Sequence, residues 1–225
     1  TSSMESHTVH ATWDEAEAQC EYELGITKEF YGGLCIPITI SKRPDWDKFP
    51  GADYTIAVDA IMPGGKTLQC GTVHHLGTHF SKTFAIQFED KNGEQQLANQ
   101  TCYGISERCI AALISMHGDD KGLILPPAVA PVQAVIVPIA DRHLEHCEGV
   151  RKRLGRAGVR AEVYADNEPM RVKIAKAQQQ KVPYMLVVGD KEIEADTVGV
   201  RERTAGDIGA MGVDEFAAKV TAERP

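Results

Sequence analysis

The chain has 225 residues, 43% of them hydrophobic and 25% charged, with a formal net charge of −8. This fits a globular protein of one or two domains and excludes fibrous, disordered and membrane-spanning classes, since no apolar run approaches the roughly 20 residues that cross a bilayer. The acidic balance argues against a surface that grips DNA or RNA all over, and leaves room for a local basic face, for which Arg151, Lys152, Arg153, Arg156 and Arg160 are the candidates. Residues 1–10 are too polar for a signal peptide, so a cytoplasmic location is expected, with no membrane and no DNA partner. The six cysteines form no Cys-x-x-Cys pair and are expected to be reduced, mostly buried thiols.

In chain order, the first signal is a helix starting at Trp13 and running to about residue 24, opened by Thr12 with Glu15 three residues on, the pattern of a capping box. Residues 53–61 alternate as a strand does, Met62-Pro63-Gly64-Gly65-Lys66 is a turn by composition, and 67–72 returns as the second arm of a hairpin. Residues 83–89 alternate again and end at Asp90-Lys91-Asn92-Gly93, whose Asn-Gly pair favours a tight hairpin turn, with 95–102 as the partner strand. An apolar helix over 109–116 follows Arg108. The first half is therefore expected to be mostly antiparallel sheet with helices on it.

After Pro131 the pattern becomes strand (134–139), amphipathic helix (143–155), short strand (161–164), helix (172–181) and buried strand (184–188), which predicts an α/β unit with a parallel core. The joint Pro126-Pro127-Ala128-Val129-Ala130-Pro131 is stiff, because proline restricts its own φ and its predecessor. It marks the expected domain boundary, 1–130 and 131–225.

The most informative stretch is Gly104-Ile105-Ser106-Glu107-Arg108, an apolar helix, and then His117-Gly118-Asp119-Asp120-Lys121-Gly122. A glycine lets a strand run close to a planar ligand. An arginine opening the next helix can fork onto phosphate oxygens, and the exposed amides of that helix end add positive potential. Such chemistry suits a nucleoside triphosphate.

This stretch resembles motif 3 of a class II aminoacyl-tRNA synthetase. With Glu5-Ser6-His7-Thr8-Val9-His10-Ala11-Thr12 and with Gln69-Cys70-Gly71-Thr72-Val73-His74-His75-Leu76-Gly77-Thr78-His79-Phe80-Ser81-Lys82, it makes the chain from about residue 5 to 139 similar to the later part of the catalytic domain of the prolyl-tRNA synthetases of archaeal and eukaryotic type. Residues 132–223 resemble the anticodon-binding domain shared by the prolyl, threonyl, histidyl and glycyl enzymes; Lys181-Val182-Pro183-Tyr184-Met185-Leu186-Val187-Val188-Gly189-Asp190-Lys191-Glu192 and Gly206-Asp207-Ile208-Gly209-Ala210-Met211 look threonyl-like. The resemblance implies an α+β architecture: a partial class II antiparallel sheet with helices, then an α/β anticodon-binding domain with a mixed, mainly parallel sheet.

What the resemblance implies for function is ATP-dependent ligation of proline to tRNA(Pro) through a prolyl-adenylate, with ATP and Mg2+ required and a homodimer expected. It puts Gln69, Thr72, Ser106 and Arg108 at the ATP, with Arg108 as the catalytic residue, and Glu5, His7 and His74 at the amino acid. Asn167, Glu168 and Lys173 fall on the anticodon-facing stretch. No metal-ligand set is expected from His7, His10, His74, His75 and His79, which read as hydrogen-bonding histidines on strands and a loop. Adenylyl transfer rests on positioning and charge stabilisation, so no nucleophilic triad is expected either. Cys102-Tyr103 stands where these enzymes have Ser-Trp, which puts the pocket wall in question. Motif 1, the first strand of motif 2 and a zinc-containing C-terminal extension have no counterpart in the sequence, so residues 1–225 alone are expected not to activate an amino acid. Two other readings stay open: a threonyl enzyme, marked by zinc in the catalytic half, and a non-catalytic tRNA-binding relative.

Overall fold

A computed structural model describes residues 3–166 and 168–223, which divide into two compact units between Met116 and His117. The stretch 117–130, expected with the first half, packs with the second.

The first unit opens with β1 (Ser3–His10) and α1 (Trp13–Gly33). The capping box forms as the sequence indicates: Thr12 Oγ1 accepts from the Glu15 N–H at 3.2 Å and Glu15 Oε2 accepts from the Thr12 N–H at 3.2 Å. Such a cap contributes about 1 kcal/mol. The helix continues well past residue 24 because Ala16, Cys20, Glu23, Thr27 and Tyr31 share one buried face. Tertiary burial thus carries it through Gly25 and Thr27, where intrinsic propensity is poor.

Next come β2 (Ile38–Lys42), β3 (Tyr54–Ile61), β4 (Thr67–Gly77), α2 (His79–Phe84), β5 (Gln87–Glu89), β6 (Gln95–Leu97), β7 (Asn99–Ser106) and α3 (Arg108–Met116). The strand expected over 83–89 is only partly one. Phe84 ends α2, Ala85 turns left-handed at φ 55°, and three extended residues remain. The Asn92-Gly93 turn is where the sequence puts it, with Gly93 at φ 83° and Asp90 Oδ1 accepting from the N–H of Asn92 and of Glu94 at 2.8 and 3.0 Å. Its partner strand divides, β6 closing the hairpin and β7 joining the main sheet, whose order β1-β7-β4-β3-β2 is antiparallel throughout.

Burial along β7 alternates residue by residue, which separates the two faces of this sheet. Tyr103 and Ile105 pack with Val73 and with Cys20 of α1, whereas Cys102, Gly104 and Ser106 stay half-buried on the other face. The Tyr103 side chain therefore lies behind the sheet, and of the Cys102-Tyr103 pair only Cys102 can alter a pocket on the open face. α1 and α3 close a second cluster, Tyr31, Ile36, Val58, Ala60, Cys70 and Ala112.

The second unit starts with a two-rung hairpin, β8 (Gly118–Asp119) and β9 (Gly122–Leu123). It continues with β10 (Ala134–Pro138), a 3-10 turn (Asp141–His143), α4 (Leu144–Arg156), β11 (Ala161–Val163), α5 (Met170–Gln179), β12 (Tyr184–Val188), α6 (Asp190–Ala195), β13 (Thr197–Glu202), β14 (Gly206–Gly212) and α7 (Val213–Ala222). In the order β11-β10-β12-β13-β14 the first two pairings are parallel and the last two antiparallel. The parallel core matches the sequence reading, and two antiparallel strands outside that reading make the sheet mixed. α4 and α7 cover one side through Cys147, Val150, Leu154, Phe216 and Val220, and Ala177 of α5 packs on Val135, Val137 and Met185.

Three of the five cations in and after α4 are already paired, while Lys152 and Arg156 stay exposed. Arg153 forks onto Asp214 and Asp196, Arg151 pairs with Glu148 at 2.7 Å, and Arg160 spends its donors on the carbonyls of Pro127, Ala128 and Ala130 at 2.8–3.3 Å. That last contact is what ties the proline-rich stretch down.

Candidate functional site

Strand register sets out two rows on the open face of the first sheet. Glu5, Gly104 and Thr72 are directly opposite one another on β1, β7 and β4, and His7, Cys102 and His74 form the adjacent row. Gln69 joins this face through a bulge. Thr72 pairs with Ala57 and Gln69 with Asp59, leaving Cys70 as the extra residue, so two side chains three positions apart end up on one side. Cys70 itself is buried among Tyr31 and Val58.

Ser106 ends β7 and Arg108 opens α3. The Ser106 hydroxyl accepts from the Arg108 N–H at 3.4 Å, and Arg108 Nη1 donates to the Gln69 carbonyl at 3.4 Å, which aims the guanidinium across the end of β4. Glu5, Gln69, Thr72, Ser106 and Arg108 line one cleft of about 190 Å³, open to solvent, with Ser3, Cys70, Gly71, Gly104 and Ile105 completing the lining. Gly104 keeps the floor bare. A Cβ there would reach only Glu5 Cγ at 3.8 Å and the Met4 carbonyl at 3.9 Å, so the missing side chain leaves space rather than relieving a clash. Gly71 is different, because its Cβ would sit 2.9 Å from the Gly104 carbonyl oxygen.

His7 and His74 fall in the row beside the cleft rather than in its lining. His7 Nε2 lies 3.3 Å from Glu5 Oε2 and 4.0 Å from Cys102 Sγ, with His7 and Glu5 both well exposed. Burial and the acidic charges of Glu5 and Glu23 push the Cys102 thiol upward in pKa, so it stays protonated. His74 is buried under Phe49, ring centroids 5.0 Å apart. The Thr55 hydroxyl accepts from the Phe49 N–H at 2.9 Å and shares a hydrogen bond with His74 Nδ1 at 2.8 Å. Desolvation lowers the pKa of His74, which favours the neutral ring.

His75, one residue on, belongs to the other face. Its Nδ1 accepts from the Gly77 N–H at 3.2 Å, its Nε2 donates to the Trp13 carbonyl at 3.1 Å, and its ring stacks on Trp13 at 4.4 Å. It is a satisfied core histidine. Among the described residues no three His, Cys, Asp or Glu side chains converge as a metal-ligand group.

In the second unit Glu168 is exposed just before α5, Lys173 is buried within α5 at 4% exposure, and Asn167 lies outside the described residues. The exposure of Lys173 does not match that of a side chain presented to a partner. Sequence reasoning also passed over Ser3 and Phe49, which the period-2 alternation around Glu5 and the ring beside His74 bring into this neighbourhood.

Cleft chemistry and row order are those of a polar, cation-tipped platform: three hydroxyls, an amide, one carboxylate and a guanidinium at a helix start, next to a slot holding a buried histidine. Comparison with known proteins agrees with that platform. Residues 2–117 match the family described as "tRNA synthetase class II core domain (G, H, P, S and T)" and residues 133–223 match "Anticodon binding domain". A proline–tRNA ligase of Methanoregula boonei is 62% identical over 211 residues, 91% of this chain and 44% of that protein. Those of Methanosarcina mazei and Methanothermobacter thermautotrophicus are 52% and 45% identical over 92% of the chain, again 44% of each protein. The chain thus spans somewhat under half the length of these relatives.

Proposed function

Because the chain belongs to the class II tRNA synthetase core family, we propose that it is the later part of an enzyme that ligates proline to tRNA(Pro) through a prolyl-adenylate. Residues 1–130 would end the catalytic domain and 131–225 would bind the anticodon. The convergence of Glu5, Gln69, Thr72, Ser106 and Arg108 on one cleft, over a floor kept bare by Gly104, carries the reading.

The amino-acid carboxylate attacks the α-phosphate of ATP, pyrophosphate leaves, and the aminoacyl group then passes to a hydroxyl of the terminal adenosine of tRNA with release of AMP. Each step moves negative charge onto phosphate oxygens. Arg108 is the catalytic residue in this scheme, its fork and the amides at the start of α3 meeting those oxygens. Gln69 and Thr72 can read a ribose or adenine edge, and Ser106 positions Arg108 while offering a further hydroxyl.

Glu5 sits where a cationic secondary amine gains Coulomb energy. His74 offers a neutral ring nitrogen to the amino acid, and His7 lies beside Glu5 at the same substrate. Mg2+ belongs to the same proposal: magnesium keeps much of its water and would be held mainly by the substrate phosphates. A homodimer and a cytoplasmic location are expected for such an enzyme; no helix among the described residues is long and apolar enough to cross a membrane.

The test is charging of tRNA transcripts by the longest natural product containing this chain. Labelled proline is expected on tRNA(Pro) and not on tRNA(Thr). Threonine on tRNA(Thr) would replace the prolyl reading with the threonyl one, and tRNA binding without charging would make the protein a non-catalytic relative.

A further inference from the structure

One carboxyl of the first unit has no part in the chemistry above. Glu23 lies on the covered face of α1 and is 2% exposed, a place where glutamate is seldom found without a strong partner. Its Oε1 accepts from the Gln19 amide at 3.2 Å and from the Ser6 hydroxyl at 3.5 Å. Its Oε2 has no hydrogen-bond partner among the described residues. Leaving such an atom unpaired costs free energy that an apolar side chain of similar size would not incur.

What Glu23 touches sets its place behind the site. Ser6 pairs with Tyr103 across β1 and β7, and both side chains lie on the α1 side of the sheet. The rungs to either side pair Glu5 with Gly104 and His7 with Cys102, and strand alternation turns those side chains to the open face. Glu23 therefore stands directly behind the two rungs that carry Glu5 and His7. The Tyr103 hydroxyl lies near Thr27 short of a full hydrogen bond, while Thr27 Oγ1 donates to the Glu23 carbonyl at 2.8 Å, so one turn of α1 supplies the polar backing of this rung.

The electrostatics run the same way. Burial raises the pKa of the Glu23 carboxyl, and the hydrogen bonds from Gln19 and Ser6 and a cationic His7 oppose that rise. Glu23 in turn adds to the burial and the Glu5 charge that push the Cys102 thiol up. The field of the buried group thus reaches both residues of the His7–Cys102 rung. A cationic amine bound beside Glu5 would act on Glu23 in the same sense as a cationic His7.

We infer that Glu23 is a positioning residue of the amino-acid site: from behind the sheet it fixes β1 through Ser6, and with it the presentation of Glu5 and His7 to the secondary amine of the substrate. The inference rests on the prolyl reading above and adds to it a residue outside the cleft lining. Gln69 and Thr72 stand on β4, Ser106 at the end of β7 and Arg108 on α3, so the ATP end of the cleft does not depend on Ser6.

The experiment measures KM for proline and for ATP in ATP–pyrophosphate exchange by the longest natural product containing this chain, for the parent, Glu23→Leu, Glu23→Gln, Ser6→Ala and Glu23→Leu combined with Ser6→Ala. Glu23→Leu and Ser6→Ala should each raise the KM for proline by about five- to tenfold and leave that for ATP within about twofold of the parent. The combined variant should be no worse than Glu23→Leu alone, since both changes remove one contact. Glu23→Gln keeps an oxygen that accepts from Ser6, and its KM for proline should stay within about threefold of the parent. Tryptophan fluorescence in urea shows whether each variant is folded, and Ser6→Ala against Glu23→Gln decides the matter if Glu23→Leu is not. An unchanged KM for proline in Glu23→Leu or Ser6→Ala, a KM for ATP that rises in parallel, or fold-changes that multiply in the combined variant would each overturn the inference and leave the prolyl reading standing. No proline-dependent exchange by the parent would overturn that reading and the inference with it.

Discussion

Two glycines on adjacent strands separate structure from chemistry in this site. At Gly71 a methyl group would stand 2.9 Å from the Gly104 carbonyl oxygen and 3.8 Å from both Ile105 Cγ1 and the Tyr31 hydroxyl. β4 cannot back away without opening its pairing to β7 at Gly71–Ile105 and Thr72–Gly104. Overpacking against backbone of this kind costs about 1–3 kcal/mol. With a urea m-value of about 2 kcal/mol per M, Gly71→Ala should lower the midpoint by about 1 M. At Gly104 the same methyl meets nothing closer than 3.8 Å. Gly104→Ala should therefore hold or slightly raise stability, as alanine is favoured over glycine in a strand by about 0.5–1 kcal/mol. It should still raise the KM for ATP in the full-length protein by about tenfold, because the methyl rises into the cleft. Trp13 and Trp46 are the two tryptophans of the chain and both lie in the first unit, so tryptophan fluorescence in urea reports that unit selectively. A Gly104→Ala protein less stable than Gly71→Ala, or one with an unchanged KM for ATP, would refute the assignment of the two faces.

Other expected outcomes concern single side chains. Arg108 is exposed and makes one long contact to the Gln69 carbonyl, so Arg108→Ala should change stability by less than about 0.5 kcal/mol while lowering amino-acid activation by about 100-fold or more; retention of activity would remove it from the phosphate site. Arg160→Ala frees the carbonyls of Pro127, Ala128 and Ala130, and amide exchange should quicken at Val129, Ala130 and Gln133, with a stability loss of about 1–3 kcal/mol; unchanged protection would deny the tether. Hydrogen bonds from Arg142 and then His143 hold the Asp190 carboxyl down at about 2. A depressed folded-state pKa means the unfolded chain binds more protons, so this contribution is present above the normal carboxylate pKa near 3.8 and fades as pH falls toward 2. Carbon NMR titration should show Asp190 near 2 in the parent and closer to 3.8 in Arg142→Ala; identical titrations would contradict the pairing.

Local rules read the sequence well where one local device decides the structure. The Thr12–Glu15 box, the Asn92-Gly93 turn and the buried runs of β10 and β12 needed no tertiary information. They failed where packing overrode them. α1 extends to Gly33 because Thr27 and Tyr31 are buried, and 83–89 is not one strand because a left-handed Ala85 divides it. β13 did carry a signal, Val198 and Val200 alternating with more open neighbours, whereas glycine-rich β14 has almost none.

The site residues Glu5, Gln69, Thr72, Ser106 and Arg108 came from family resemblance, and nothing in their spacing reveals that a bulge at Cys70 brings Gln69 to the face of Thr72. Facing decided two further points. Tyr103 turns behind the sheet, Arg153 of α4 turns to carboxylates of neighbouring elements, and Arg160 turns to carbonyls of the proline-rich stretch. Charge counted along a sequence does not show which cations are already paired.

The central claim is that this chain completes a proline-activating site, and amino-acid-dependent ATP–pyrophosphate exchange by the longest natural product containing it tests that claim most directly. Exchange that depends on proline, and is absent with threonine, is the predicted result. Exchange driven by threonine, or none with either amino acid, would contradict it.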